Sequence, residues 1–335
     1  MPRYQRLRSW TGLLLPIGLA GGCTPPVTRL EVLQPVRQEL VQADSSERLF
    51  SVVFANTRGD TVQAYLRLPT GERMAGGKVP GVVLVAGRET GRQAASVIPG
   101  PLEVAVLAVE YPEVFPEGLD LGTLLQRLPG IRRSASAMPG ILRGAARFLA
   151  GMPEVDSARI ALVGVSFGVP FATPAGADSI FRGVALHFGG GGLPLLFRTN
   201  LPVRNRLLRG LTAGFLAWYF RELEPARHVG RISPTPLLLI NGLYDQQVPR
   251  EAALRLARAA GPPVRQIWLP EDHLMPDELE VMRELADSTL SHFPFLRREA
   301  PRTGVMDPLP GGSHVPHVDL VRLHTERADS VAVHL

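Results

Sequence analysis

VDSARIALVGVSFG, residues Val155 to Gly168, joins a short apolar run to a serine with a glycine two places away on either side. Ile160 to Val163 is apolar at consecutive positions, the mark of a strand buried on both faces rather than one. Gly164-Val165-Ser166-Phe167-Gly168 follows at once, so Ser166 falls where that strand turns sharply toward a helix. A turn so tight presses neighbouring backbone together, and residues without Cβ avoid the clash. The serine hydroxyl is thereby lifted above the C-terminal edge of the sheet. Taken alone, the pattern also fits a simple strand and loop in a chain that holds 34 glycines.

Further runs of the same kind flank it: Gly81 to Ala86, Val104 to Val109, Val184 to Leu186, Leu237 to Ile240 and Val264 to Leu269. Segments with helical spacing separate several of them. The clearest is Ala135 to Leu149, with Ile141, Leu142, Ala145, Phe148 and Leu149 on one face and Arg143 and Arg147 off it. Alternation of this sort predicts an α/β fold class, with a mainly parallel central sheet and helices on both faces. Arg48 to Ala55 and Thr61 to Leu68, separated by Asn56 to Asp60, predict an antiparallel hairpin at its N-terminal side. The segment 189–231 is longer than a simple crossover, and Leu207, Leu208, Leu211, Phe215, Trp218 and Tyr219 recur in it at helical intervals. It reads either as a crossover helix packed on the sheet or as a small helical lid over an apolar pocket. The domain is expected to span residues 47–296, with 297–335 a polar appendage outside it.

A serine is a weak nucleophile without a base, and the base needs an orienting acid. Leu237 to Ile240 is followed by Asn241-Gly242-Leu243-Tyr244-Asp245, which puts Asp245 at a strand's C-terminal end. Val264 to Leu269 is followed by Pro270-Glu271-Asp272-His273, which puts His273 on the loop leaving the next strand. In an open α/β sheet these ends share one edge, so distant residues converge there. Asp245 also fits a turn residue and His273 a surface histidine. Glu271 and Asp272 adjoin the histidine, but neighbours on an extended loop point apart, and Asp245 ranks first as the acid. The order Ser166, Asp245, His273 differs from the orders of the trypsin and subtilisin classes.

VDSARIALVGVSFG, PLLLINGLYDQQVP (Pro236 to Pro249) and WLPEDH (Trp268 to His273) resemble the α/β-hydrolase superfamily, in its dienelactone-hydrolase and prolyl-oligopeptidase-like branch. The likeness runs from about residue 48 to 295. It implies an α/β-hydrolase fold, with Ser166 as nucleophile, Asp245 as acid and His273 as base. It also implies an oxyanion hole of two backbone N–H groups, one from Phe167 and one from the loop after Gly81 to Ala86, assigned to Arg88. The implied substrate is a small-molecule carboxylic ester or thioester. Acyl transfer on the same triad, or a noncatalytic surface-anchored binding protein of this fold, are the alternatives. Three features depart from the family: Ala86-Gly87-Arg88 stands where many relatives have His-Gly, Pro170 and Pro174 predict a short or bent helix after the serine, and Gly189 to Gly192 follows the nucleophile strand rather than preceding it. That glycine run is expected to loosen the approach to the lid region. Arg88 reads either as a partner for a substrate carboxylate or as a solvated loop arginine.

Composition narrows the rest. The 335 residues are 45% hydrophobic and 20% charged, as in an ordinary globular protein. The formal net charge is +5, yet Lys78 is the sole lysine among 36 basic residues and the arginines are scattered. That pattern argues against a nucleic-acid partner. Residues 1–22 carry Arg3, Arg6 and Arg8 without an acid, then the apolar stretch Thr11 to Ala20, then Gly21 and Gly22 before Cys23. This is the pattern of a secretory signal, too short to span a membrane. Leu19-Ala20-Gly21-Gly22-Cys23 resembles the lipobox of bacterial lipoproteins, with Ala20 where Leu is usual. It implies lipidation at Cys23, export and anchoring of the protein to a membrane of the cell envelope, with soluble secretion as the alternative. Removal of residues 1–22 lowers the net charge to +2. Residues 23–46, with Pro25, Pro26 and Pro35, read as a tether. The tail histidines His314, His317, His324 and His334 lack a supporting Cys or acidic cluster, so no metal is expected. Gly76-Gly77-Lys78 lacks the spacing and hydroxyl of a phosphate loop, so no cofactor is expected.

Overall fold

The computed structural model describes residues 30–297 except 57–58, 72–73, 75–76 and 113–120, together with 318–319. Cys23, the residues of the signal and the four tail histidines lie outside the described residues. Among the described residues the strands are β1 (Gln34–Ala43), β2 (Glu47–Ala55), β3 (Thr61–Pro69), β4 (Val79–Val85), β5 (Ala105–Val109), β6 (Val155–Val165), β7 (Gly183–His187), β8 (Leu237–Gly242), β9 (Val264–Leu269) and the two-residue β10 (Val318–Asp319). They form one sheet in the order β1-β2-β3-β5-β4-β6-β7-β8-β9-β10. β4 through β9 run parallel, while β1, β2 and β3 pair antiparallel and join through β3 to β5. The chain reverses direction across the sheet between β5 and β6, which flank β4, and such a switch point opens a crevice at the strands' C-terminal ends.

The helices are α1 (Ala94–Val97), α2 (Leu121–Ala150), α3 (Val169–Ala175), α4 (Leu193–Asn200), α5 (Arg206–Tyr219), α6 (Pro225–His228), α7 (Arg250–Ala259) and α8 (Leu279–His292). Alternate residues of each central strand feed two cores. Val83, Leu107, Leu162 and Leu186 pack toward α2, α3 and α7; Val82, Val106, Val163 and Ala185 pack toward α1 and α8. Both faces of the parallel strands are thus covered, which is why they read as unbroken apolar runs.

Three expectations are revised. Residues 34–43, inside the stretch read as a tether, form β1; every one of its ten residues is exposed, so no buried face imprinted a period on the sequence. Glu31 N–H donates to Gly140 C=O at 3.3 Å, which lays the chain before β1 along α2. Helix α2 runs 30 residues although Pro129 and Pro139 lie inside it. Each proline removes a hydrogen-bond donor at a cost of about 3 kcal/mol, and burial of Met138, Leu142, Ala146 and Leu149 on the sheet offsets it. In α5, Leu207, Leu208, Leu211 and Trp218 face outward, while Ala213, Leu216 and Ala217 are buried. The helical repeat was legible, and its inner face is the one with the smaller side chains.

Candidate active site

Ser166 begins the turn between β6 and α3 with φ +51°, in the left-handed region. Two glycines make that turn sterically feasible. A Cβ on Gly168 would lie 2.1 Å from the Val85 carbonyl oxygen, and one on Gly164 would lie 2.5 Å from the Ala172 Cβ. α3 that follows is seven residues long and carries both Pro170 and Pro174, as the sequence predicts. The sharp turn leaves Ser166 half-buried at the crevice over the switch point.

β8 and β9 bring the other two residues to the same edge. Ser166 Oγ lies 2.7 Å from His273 Nε2, and His273 Nδ1 lies 2.8 Å from Asp245 Oδ2. The remaining Asp245 oxygen accepts the backbone N–H groups of Gln247 and Val248, both at 2.8 Å. Those bonds fix the carboxylate, so Oδ2 is free to orient the ring. With Nδ1–H donated to Asp245, Nε2 is left as the acceptor for the serine hydroxyl. The imidazole and the carboxylate are both buried, and Phe188 packs edge-on to the ring at 5.9 Å.

Asp272, adjacent to the histidine, does different work. Its carboxylate accepts the N–H of His273 at 2.7 Å and that of Gln246 at 3.1 Å, which holds it below the usual carboxylate range. It shapes the loop rather than facing the ring. The loop also leaves no room at the end of β8, where a Cβ on Gly242 would meet the Glu271 and Asp272 carbonyls at 2.5 and 2.8 Å.

Phe167 and Arg88, the residues assigned to the oxyanion hole, both border the cavity at Ser166. Arg88 is exposed, on the loop after β4. Tyr111 was not legible as a site residue, although it follows closely on β5 at the same edge. Its hydroxyl donates to the Ala86 carbonyl at 2.5 Å, and its ring packs on Phe167 at 5.3 Å. Burial, with the nearby charge of Glu110, pushes the phenol well above its ordinary range, so it stays a donor. Tyr111 therefore braces both the loop bearing Arg88 and the side chain of Phe167.

A cavity of about 750 Å³ opens at Ser166 and His273. Leu193, Leu196 and Phe197 of α4 and Leu216 of α5 are among the residues that wall it, so the segment 189–231 borders the pocket. Glu224 holds the start of α4 by accepting the N–H groups of Gly192 and Leu193, both at 2.7 Å. The glycines before α4 do not loosen this approach. A Cβ on Gly189 would lie 2.4 Å from Val169, and one on Gly190 would lie 2.7 Å from Ala252, so they are demanded by close packing between α3 and α7. Among the described residues no group of three or more His, Cys, Asp or Glu side chains is placed to hold a metal ion.

The described fold is similar to that of acetyl xylan esterase 1 from Thermoanaerobacterium sp. JW/SL YS485, with TM-score 0.54 and 18% identity over 78% of this chain and 88% of that one. The acetyl xylan esterase from Paenibacillus sp. R4 superposes with TM-score 0.53 and 20% identity, covering 76% and 89% of the two chains. The fold is that of the α/β hydrolases. A hypothetical protein from Pseudomonas aeruginosa shares it, with TM-score 0.53 and 17% identity over 77% of this chain and the whole of the other. No protein-family profile and no curated protein sequence matches the chain. Within the α/β-hydrolase fold, Ser166, Asp245 and His273 stand after β6, β8 and β9, where the sequence places them.

Proposed function

We propose that the protein is a serine hydrolase that cleaves a carboxylic ester or thioester through an acyl-enzyme on Ser166. The observation that carries this reading is the unbroken hydrogen-bonded line from Ser166 Oγ through the His273 imidazole to Asp245, at the mouth of an apolar cavity. His273 Nε2 takes the hydroxyl proton as Ser166 Oγ bonds to the acyl carbon. Asp245 keeps the ring in the needed tautomer and stabilises the imidazolium that forms. The N–H groups of Phe167 and Arg88 serve the developing oxyanion, each such donor being worth roughly 10²–10³ in rate. His273 then gives its proton to the departing alcohol or thiol, and next draws one from water as that water attacks the acyl-enzyme. The acid leaves and Ser166 recovers its hydroxyl.

Two solved structures of the same fold carry the name acetyl xylan esterase, which supports ester chemistry in particular. Turnover of an aryl acetate tests the reading. The Ser166→Ala protein is expected to lose roughly 10⁴-fold or more in kcat/KM. Equal turnover by both proteins would remove Ser166 as the nucleophile, and none by either would leave the fold serving as a binding protein instead.

For location, we propose export and membrane anchoring through a lipidated Cys23, on the strength of the charged, apolar and small-residue pattern before it. Cys23→Ser is expected to move the protein from the membrane fraction to the soluble one. Retention in the membrane fraction would overturn the anchor.

A further inference from the structure

The two faces of the central strands are buried unequally. Val83, Val85 and Leu162, toward α2 and α3, are 0% exposed, whereas Val82, Leu84 and Val163 on the opposite face keep 7%, 5% and 7%. β4 and β6 are the fifth and sixth of ten strands, so that residual surface does not look out past an edge of the sheet. It borders an internal space. This space is the inner arm of the cavity at Ser166, walled by Val82, Val106 and Val163 of the sheet, Ala94 of α1, and Leu285 and Ala286 of α8.

The polar groups of this inner arm are matched to each other. Thr289 donates its hydroxyl proton to the Leu285 carbonyl at 2.7 Å, so His187 Nε2, 3.1 Å from the Thr289 hydroxyl oxygen, donates to that hydroxyl. The charged residues bordering the cavity, Arg88 and Glu89, are both exposed, on the loop at its mouth. Depth follows from register. Val82 lies beside Ala161, five residues before Ser166, so the arm descends about 16 Å at about 3.3 Å per residue. An extended alkyl chain advances about 1.3 Å per carbon, given C–C bonds of about 1.5 Å. Some ten to twelve carbons fill that depth.

We propose, resting on the serine-hydrolase reading, that the inner arm holds the acyl chain of the substrate, an unbranched aliphatic chain of about ten to twelve carbons. The acyl group stays bonded to Ser166 Oγ through the covalent intermediate, whereas the alcohol or thiol must leave. An apolar arm between the sheet, α1 and α8 suits the part that stays, and the mouth beside α4 and the Arg88 loop suits the part that departs.

Aryl esters from acetyl to hexadecanoyl test this. The value of kcat/KM is expected to rise about fourfold per methylene over the short members and to level off near dodecanoyl; a maximum at acetyl or butanoyl would overturn the proposal. Methyl dodecanoate is expected to exceed dodecyl acetate, and the reverse preference would overturn the acyl assignment. Ala286→Phe, which fills the arm from α8, is expected to lower the dodecanoyl-to-acetyl ratio at least about tenfold, with Ala94→Phe repeating the block from α1. An unchanged ratio in folded protein contradicts the proposal. A calorimetric titration of Ser166→Ala with dodecanoate needs no turnover: binding is expected, weakened at least about tenfold by Ala286→Phe, and no binding would overturn the arm. Dodecanoate binding without turnover of any ester contradicts the hydrolase reading alone; turnover of acetyl esters without gain from chain length contradicts the chain proposal alone.

Discussion

Ser166 pays for its exposure in backbone strain. A non-glycine residue at φ +51° costs on the order of 1–3 kcal/mol, and the fold keeps it there because β6, α3 and the Gly164 and Gly168 contacts leave no other path. Phe188, at φ +49°, is the second such residue, and it packs against the His273 ring, so both strained positions serve the same site. His187, next to it, carries a measurable consequence. Burial lowers its imidazole to about 4, from an ordinary 6.5. Between those values the unfolded chain binds a proton that the folded one refuses, so stability is fully present above pH 6.5 and falls as the pH drops toward 4. The loss amounts to roughly 3 kcal/mol at about 1.4 per pH unit. Urea melts of the wild type and His187→Gln at pH 7 and pH 4.5 are expected to show a smaller acid loss in the variant. His228 and His292, also lowered by burial, maintain part of the slope in both. An equal acid loss in the two proteins would remove His187 from the account.

At the scale of elements, the end of α5 and the turn after it are tied to α2 by charge. Arg132 of α2 donates to Glu222 at 3.0 and 2.7 Å, and Ser136 adds a third bond at 2.8 Å. Burial alone would raise the Glu222 carboxyl, yet those hydrogen bonds and the Arg132 charge keep it below its ordinary value. Arg132 also lies over the Tyr219 ring at 4.9 Å, at the end of α5. Glu222→Ala is therefore expected to speed hydrogen exchange of the α5 amides roughly tenfold while leaving β6 and β8 unchanged. Unaltered α5 protection would show that packing alone fixes α5. The central strands were legible because burial on both faces writes an uninterrupted apolar run, and the hairpin because it is bounded by turn residues. β1 was not, since an exposed edge strand writes no pattern, and α2 was legible only from Ala135 onward because Pro129 interrupts the part before it. The inward face of α5 is carried by Leu216 with Ala213 and Ala217, and the two alanines are too small to mark a side.

On the scale of the whole molecule, one sheet edge does the work. The loops after β4, β6, β8 and β9 deliver Arg88, Ser166, Asp245 and His273 to a single crevice, though the last three are spread over 107 residues of sequence. Chain order and strand ends made the three polar residues legible. The bracing by Tyr111, the loop bonds of Asp272 and the inner cavity were not, because each depends on how neighbouring loops meet rather than on any local pattern. The most direct measurement is covalent labelling with a fluorophosphonate followed by peptide mass mapping. The account predicts one phosphonyl adduct, on Ser166, formed far more slowly in His273→Ala and Asp245→Asn. Absence of an adduct under conditions that label a control esterase, or an adduct on another serine, would contradict it.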